Sequence, residues 1–185
     1  MDGFDIALPA GVALTALEAH RDERGWLAEL FRAEWAGAPA ACQWNASLSQ
    51  PNVLRGVHAH HRHSDYLIVL QGRLSIGLHD ARPASPTWGA GRLVELAGER
   101  PMAITIPPGV LHGFYAHEAS LYAYATDSYY DPADEIGCHW ADPALGIAWP
   151  CQDPMLSPRD AAAGDLATLE IQLRAIGAEF CPRGA

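Results

Sequence analysis

The chain has 185 residues, 12 basic and 22 acidic, for a formal net charge of -10, and every basic residue is Arg. Without Lys, Schiff-base, P-loop and lysine acid/base chemistry are excluded, and an acidic chain with no basic run is ill suited to neutralising nucleic-acid phosphates. An anionic ligand must be met by particular Arg side chains or by backbone N–H groups.

In chain order, the start Met1-Asp2-Gly3-Phe4-Asp5 lacks the positive segment and apolar core of a signal peptide. Phe4 to Leu17 is an apolar opening. Asp22 to Trp35 could hold a short helix after the Arg24-Gly25 turn. The runs Asp65–Leu70 and Arg73–Leu78, separated by Gln71-Gly72, predict a β-hairpin. Further strand-like runs are Arg92–Leu96, Met102–Ile106, Gly113–Ala116 and Leu121–Ala125. Short strands at spacings of about ten residues indicate an all-β sandwich or barrel. Near the end, Ser157 is a candidate N-cap with Pro158 at the first helical position. Leu166, Leu169, Ile171, Leu173 and Ile176 then form an amphipathic pattern that Gly177 ends, with Gly164 weakening continuity.

These elements make one domain, 1–185, with its core at about 12–160 and a helical segment at about 157–177. No apolar stretch approaches the roughly 20 residues that span a bilayer, so no membrane partner is expected. Cys42, Cys138, Cys151 and Cys181 are scattered, which fits thiols in a reducing cytoplasm. Core packing is the expectation for Trp26, Trp44, Trp88, Trp140 and Trp149.

The densest chemistry lies in Leu54-Arg55-Gly56-Val57-His58-Ala59-His60-His61-Arg62-His63-Ser64-Asp65. On a strand, His58 and His60 share one face because the side-chain period is two. Ile106-Pro107-Pro108-Gly109-Val110-Leu111-His112 supplies a further imidazole beside a tight turn. His58, His60, Asp65 and His112 could hold a divalent metal such as iron, manganese, nickel or zinc. Alternatively, His60, His61 and His63 form a solvated rim around a pocket.

This combination resembles the two motifs of the cupin superfamily: His58, His60, Asp65 and Gly72 fill the first, and Pro107, Gly109 and His112 the second. A longer likeness runs from about Arg21 to Asp160. It includes Asp22-Glu23-Arg24-Gly25-Trp26 with Glu29, Gln43-Trp44-Asn45-Ala46-Ser47, and Leu54-Arg55-Gly56-Val57-His58. It continues through Ser85-Pro86-Thr87-Trp88-Gly89, Ile106 to Phe114, Tyr124 to Tyr130 with Glu135, Trp140 to Pro143, Trp149-Pro150 and Leu156 to Asp160. In order and spacing these stretches resemble the dTDP-4-dehydrorhamnose 3,5-epimerase family.

That resemblance implies a cupin jelly roll, a double-stranded β-helix, acting without a cofactor on a nucleotide-diphosphate-linked 4-keto-6-deoxy sugar. It implies His58 as base with Asp160 as its carboxylate partner, and Tyr124 as acid. Arg24, Glu29, Gln43, Asn45, Ser47, Arg55, His112, Tyr130 and Arg159 are the implied substrate-binding positions, and Tyr129 competes with Tyr130 for a place beside the sugar. For Arg24 the plainer alternative is an ion pair with Glu29, and for Gln43 and Asn45 it is hydrogen bonding at a strand end. The resemblance also implies a homodimer whose N-terminal strands extend across the partner's sheet. A metal-dependent cupin and a non-catalytic sugar-nucleotide-binding cupin are the competing expectations.

One position breaks the family pattern. A Lys normally follows the catalytic His to stabilise the enolate oxygen; aligning back from Gly72 puts Asp65 there, with Arg62 out of register. A carboxylate facing an enolate is repulsive at short range. A protonated His60, His63 or His112, a metal held by His60, Asp65 and neighbours, or loss of activity would each account for the change.

Overall fold

The computed structural model describes residues 7–35 and 37–175. Twelve strands are described: β1 (Ala13–Ala16), β2 (Ala19–Asp22), β3 (Gly25–Ala28), β4 (Gln43–Ser49), β5 (Leu54–His60), β6 (Asp65–Gln71), β7 (Arg73–Asp80), β8 (Gly91–Ala97), β9 (Met102–Ile106), β10 (Val110–Ala116), β11 (Ser120–Thr126) and β12 (Glu135–Gly137). Helices α1 (Pro158–Ala161) and α2 (Leu166–Ala175) follow. One five-stranded sheet runs β1-β9-β6-β11-β4 and the other β12-β5-β10-β7-β8, while β2 and β3 form a separate hairpin. Every strand pairing is antiparallel.

Alternation along the strands builds three apolar layers. Leu67 and Val69 of β6, Leu74, Ile76 and Leu78 of β7, and Ile104 and Ile106 of β9 form the layer between the sheets. Tyr66 and Ile68 turn the other way, under Leu30, Phe31 and Trp35. Val57, Ala59 and Leu111 face outward on the second sheet and are covered by Leu166, Leu169 and Leu173 of α2. Each sheet is therefore buried on both faces, and the central strands read as continuous apolar runs.

The two runs around Gln71-Gly72 do not pair as a hairpin. β6 lies in one sheet and β7 in the other, so the chain crosses the core at Gly72. Both strands are buried on both faces, and placing one in each sheet gives both a covered position. The crossing needs glycine: φ is +79°, and an added Cβ would lie 2.5 Å from Ser120 Oγ and 2.6 Å from the Ala119 carbonyl oxygen.

The expected helix between Asp22 and Trp35 is also absent: the segment makes β3 and then turns. Leu30, Phe31 and Trp35 in those turns pack onto Tyr66 and Ile68, so tertiary burial decides the local conformation. Of the tryptophans, Trp140 and Trp149 pack beneath α2, and Trp149 lies flat over Gly77, where a Cβ would sit 2.4 Å from the ring. Trp26, Trp44 and Trp88 are instead 39%, 45% and 53% exposed, so the core-packing expectation fails for them.

At the C-terminal end, Ser157 Oγ accepts from the Asp160 N–H at 3.1 Å and caps α1. The helical segment divides at Gly164 as its sequence implies, and Asp142 Oδ2 accepts from the Leu166 N–H at 2.7 Å to start α2. Ile176, Gly177 and Cys181, together with Phe4, lie outside the described residues. β1 pairs with β9 of its own chain.

Candidate active site

A cavity of about 840 Å³ opens between the sheets, lined from one side by β4, β6 and β11 and from the other by β5 and β10. Its polar lining begins with a bulge. His112 of β10 pairs with His58, but Phe114 pairs with Arg55, so β5 carries one extra residue between them. The bulge brings Arg55 onto the cavity face occupied by His58 and His60, which simple alternation would not do. Arg55 Nε donates to Ser49 Oγ at 3.1 Å.

His58 is engaged at both ring nitrogens. Nε2 lies 2.7 Å from Asp160 Oδ1, and Nδ1 lies 3.2 Å from Glu135 Oε1. The Arg159 guanidinium rests against the same ring and clasps Glu135, with Nη1–Oε2 at 2.6 Å and Nη2–Oε1 at 2.9 Å. Burial pushes the Asp160 carboxyl up, but the hydrogen bond and charge of His58, with the Ser157 hydroxyl and the Gly56 N–H, hold it below the ordinary carboxylate range. At Glu135, burial is likewise outweighed, chiefly by Arg159 and His58, and the carboxyl is lowered.

Tyr124 comes from β11 in the opposite sheet, so the imidazole and the phenol occupy facing walls. Burial, then Tyr122 and Asp65, raises the Tyr124 phenol above its ordinary value and keeps it protonated at neutral pH. Gln43, Asn45, Ser47, His112, Tyr130 and Arg159 also line the cavity. Gln43 Nε2 donates to Asn45 Oδ1 at 3.2 Å, and the Tyr130 N–H donates to Gln43 Oε1 at 3.0 Å. Tyr130 is therefore the one of the two adjacent tyrosines that reaches the cavity.

Arg24 and Glu29 are not in this cavity. Both are at the surface, Arg24 paired with Asp22 and Glu29 with Arg32, so the Arg24–Glu29 ion pair does not form either. Arg24 is at the tip of the β2–β3 hairpin and its carboxylate neighbour there is Asp22, closer in sequence and directly across the turn.

His63 is buried, and His60 and His61 keep only 12% and 15% of their side chains exposed, so the three do not form a solvated rim. His60 stacks on His63 with centroids 3.9 Å apart, and His63 Nδ1 lies 2.9 Å from Asp134 Oδ2. His61 Nδ1 lies 2.6 Å from Asp134 Oδ1. Asp134 is thus the organising carboxylate of this histidine run. Glu135 belongs to the family likeness without a role attached to it, and Asp134 lies outside the matching stretches.

His60 Nε2 and His112 Nε2 stand 3.5 and 3.6 Å from Asp65 Oδ2. Burial, reinforced by the neighbouring imidazoles, drives the His60 pKa far down. Burial also lowers His112 to about 4, against the hydrogen bond that its Nδ1–H donates to the Val110 carbonyl. Both rings are neutral at neutral pH, so neither supplies a cation in place of the family Lys. The set His58, His60, Asp65 and His112 does not assemble as a metal site, because His58 is committed to Asp160 and Glu135. His60, Asp65 and His112 keep their donor atoms within 4.8 Å of one another. However, His60 Nδ1 is buried without a partner, whereas a metal-bound imidazole ordinarily donates that N–H to an outer group. We assign no metal ligand here.

A double-sheeted jelly roll whose inter-sheet cavity carries this histidine cluster defines the protein as a cupin. Residues 7–168 match the sequence profile of the family described as dTDP-4-dehydrorhamnose 3,5-epimerase. The dTDP-4-dehydrorhamnose 3,5-epimerase of Neisseria gonorrhoeae is 35% identical over 178 residues, covering 92% of this chain and 54% of that protein, so the chain spans about half of that relative's length. The crystal structure of dTDP-6-deoxy-D-glucose-3,5-epimerase from Legionella pneumophila, in complex with dTDP-4-keto-L-rhamnose, is 36% identical. It superposes with a TM-score of 0.79 over 95% of this chain and 94% of that one. A 3'-monoepimerase from Streptomyces bikiniensis, in complex with dTDP-quinovose, is 30% identical with a TM-score of 0.81, over 94% of this chain and 90% of that one. The chain belongs to the dTDP-4-dehydrorhamnose 3,5-epimerase family.

Proposed function

We propose that this protein epimerises a nucleotide-diphosphate-linked 4-keto-6-deoxy sugar at C3, C5 or both, as a step of deoxysugar biosynthesis. The observation that carries the reading is the placement of the Asp160-paired His58 and the protonated Tyr124 on facing walls of one cavity. A carbon beside a ketone is a weak acid, so its inversion needs a base on one face and an acid on the other. With Nε2 held by Asp160 and Nδ1 released from Glu135 by the incoming sugar, His58 takes the proton from the carbon, the electron pair moves toward the C4 oxygen, and the Tyr124 O–H returns a proton to the opposite face. Solvent restores both groups, and no redox partner or cofactor enters the balance.

Arg55 and Arg159 supply donors for anionic and hydroxyl oxygens, His112 offers Nε2 as an acceptor, and Gln43, Asn45, Ser47 and Tyr130 complete the polar lining. The family relatives solved with dTDP-linked sugars support a nucleotide sugar as substrate. We further propose a homodimer. The β2–β3 hairpin holds Arg24 and Glu29 away from their own cavity and exposes Trp26 and Leu27, while the edge strand β4 exposes Trp44 and Leu48. A partner would cover these apolar groups and receive Arg24 and Glu29 near its own site. The free thiols Cys42, Cys138 and Cys151 fit a reducing compartment, and we place the protein in the cytoplasm. No helix among the described residues is long and apolar enough to cross a membrane.

The test is exchange of the C3 or C5 hydrogen of a dTDP-linked 4-keto-6-deoxy sugar with solvent deuterium. Exchange is expected in the wild type, absent in His58→Ala and strongly reduced in Tyr124→Phe. No exchange with dTDP-, CDP- or GDP-linked 4-keto sugars would remove the reading. Light scattering that shows a monomer at micromolar concentration would remove the dimer.

A further inference from the structure

Proton abstraction beside the C4 ketone leaves negative charge on that oxygen. A donor held there in a site without bulk water is worth about 10²–10³ in rate. The chain contains no Lys, and Arg62 is turned outward toward Asp131 and Asp134.

Asp65 occupies the start of β6, between β11 (through Thr126) and β9 (through Ile106), in the sheet that carries Tyr124. Its side chain is 8% exposed and forms part of the cavity wall. Oδ2 is buried and has no hydrogen-bond partner. The groups facing it are His60 on β5 and His112 on β10, both too distant for a hydrogen bond. Beyond them stand carboxylates: Asp127 after β11, Asp134 in the 3-10 turn, and Glu135 on β12. An ionised Asp65 would be a buried charge with neutral imidazoles on one side and like charges on the other, a costly state. Burial first, and then those carboxylates, pushes its pKa well above the ordinary value. The neutral form has an O–H to donate, and the residue forms part of the cavity wall.

We propose that Asp65 stands in for a cation at the reacting ketone: as a carboxylic acid it donates a hydrogen bond from its carboxyl O–H to the C4 oxygen of the sugar. The inference rests on the epimerase reading. During the reaction His58 takes the carbon-bound proton and the C4 oxygen gains charge, while the Asp65 proton stays on Asp65. When Tyr124 protonates the carbon, the C=O bond re-forms and the hydrogen bond relaxes. A neutral acid of this kind gives up Coulombic attraction and gains a donor that needs no counter-charge in a buried site.

The experiment compares Asp65→Asn and Asp65→Leu, using kcat and KM for the dTDP-linked 4-keto-6-deoxy sugar together with infrared difference spectra of the free protein. Asp65→Asn keeps an N–H donor and volume, and is expected within about tenfold of wild-type kcat. Asp65→Leu is expected to lose about 10²–10³-fold in kcat with KM little changed. The spectrum of wild type minus Asp65→Asn at neutral pH should contain the carbonyl stretch of a protonated carboxylic acid. An ionised carboxylate band in its place, an Asp65→Asn variant as inactive as Asp65→Leu, or full activity in Asp65→Leu would each overturn the inference. So would stoichiometric transition metal in the wild type that Asp65→Asn loses. The infrared band requires only the volume-conserving variant, so the inference is tested even where Asp65→Leu does not fold. A wild type without exchange removes the epimerase reading and this inference together; an exchange-competent wild type with inactive Asp65→Asn removes this inference alone.

Discussion

The two ends of the cavity are built from the same chemical groups and hold their carboxyls in opposite states. At one end His58 has Asp160 at 2.7 Å and Glu135 at 3.2 Å, and Arg159 braces the cluster. Both carboxyls there sit below their ordinary range, despite burial. At the other end His60 and His112 stand 3.5 and 3.6 Å from Asp65 with no guanidinium beside them, and burial drives all three toward their neutral forms. Less than an ångström of separation and one Arg thus divide an ionised end from a neutral one. Environments that push like groups apart in this way separate a proton-taking site from a hydrogen-bond-donating site within one pocket.

The sharpest way to break this contrast is to neutralise the charged end. Asp160→Asn keeps the shape of the side chain but no longer offers a carboxylate to His58 Nε2, and kcat is expected to fall about 10²–10⁴-fold. His60→Gln, at the neutral end, is expected to cost no more than about tenfold. Equal losses in the two variants, measured by deuterium exchange, would show that the two ends do not differ in role.

A smaller effect should appear in stability against pH. The unfolded chain protonates His112 below about 6.5, whereas the folded protein resists until about 4. Between those values the unfolded state binds more protons, so stability rises with pH across the window, by an order-of-magnitude 3 kcal/mol if fully expressed. Asp65 has the opposite sign: its folded pKa is raised, so its contribution is complete below the ordinary carboxylate value and is lost as pH rises. Urea unfolding from pH about 4 to about 7 should therefore show a weaker rise in His112→Asn and a steeper one in Asp65→Asn. A His112→Asn profile that parallels the wild type would contradict a buried, neutral His112.

How much of this contrast can be read from the sequence differs between the ends. Short apolar runs and turn residues define the strands, and the Ser157-Pro158 start of the helical segment is local chemistry that folds as it reads. His58, Tyr124 and Asp160 lie far apart in the chain, and only the likeness to the family joins them. Pairing across the Gln71-Gly72 turn is misread because two fully buried strands look the same whether they share a sheet or cross between sheets. Arg55 reaches the His58 face through a bulge, which breaks the period of two without altering composition. The protonation of Asp65 depends first on its burial and then on Asp127, Glu135 and Asp134, more than sixty residues away, and no spacing rule encodes it. The sequence does mark the position, by putting an acid where the resemblance leads one to expect a Lys.

The smallest expected effect tests how the charged end is held in place. Ser157 Oγ caps α1 by accepting the Asp160 N–H at 3.1 Å, and it is one of the groups that lower the Asp160 pKa. Ser157→Ala removes the cap at a cost of about 1 kcal/mol, and Ser157→Thr restores the hydroxyl. Asp160 also keeps His58 as a partner, so kcat at neutral pH should change only a few-fold. The informative readout is the acid limb of the kcat profile. Asp160 supports the base only when ionised, and that support is lost as pH falls through its pKa. With one lowering group gone the pKa rises, so activity should fail at a higher pH in Ser157→Ala and return toward the wild-type profile in Ser157→Thr, which keeps the hydroxyl. An unchanged acid limb with the same loss of stability would mean that the cap serves the fold alone, and that His58 by itself keeps Asp160 charged.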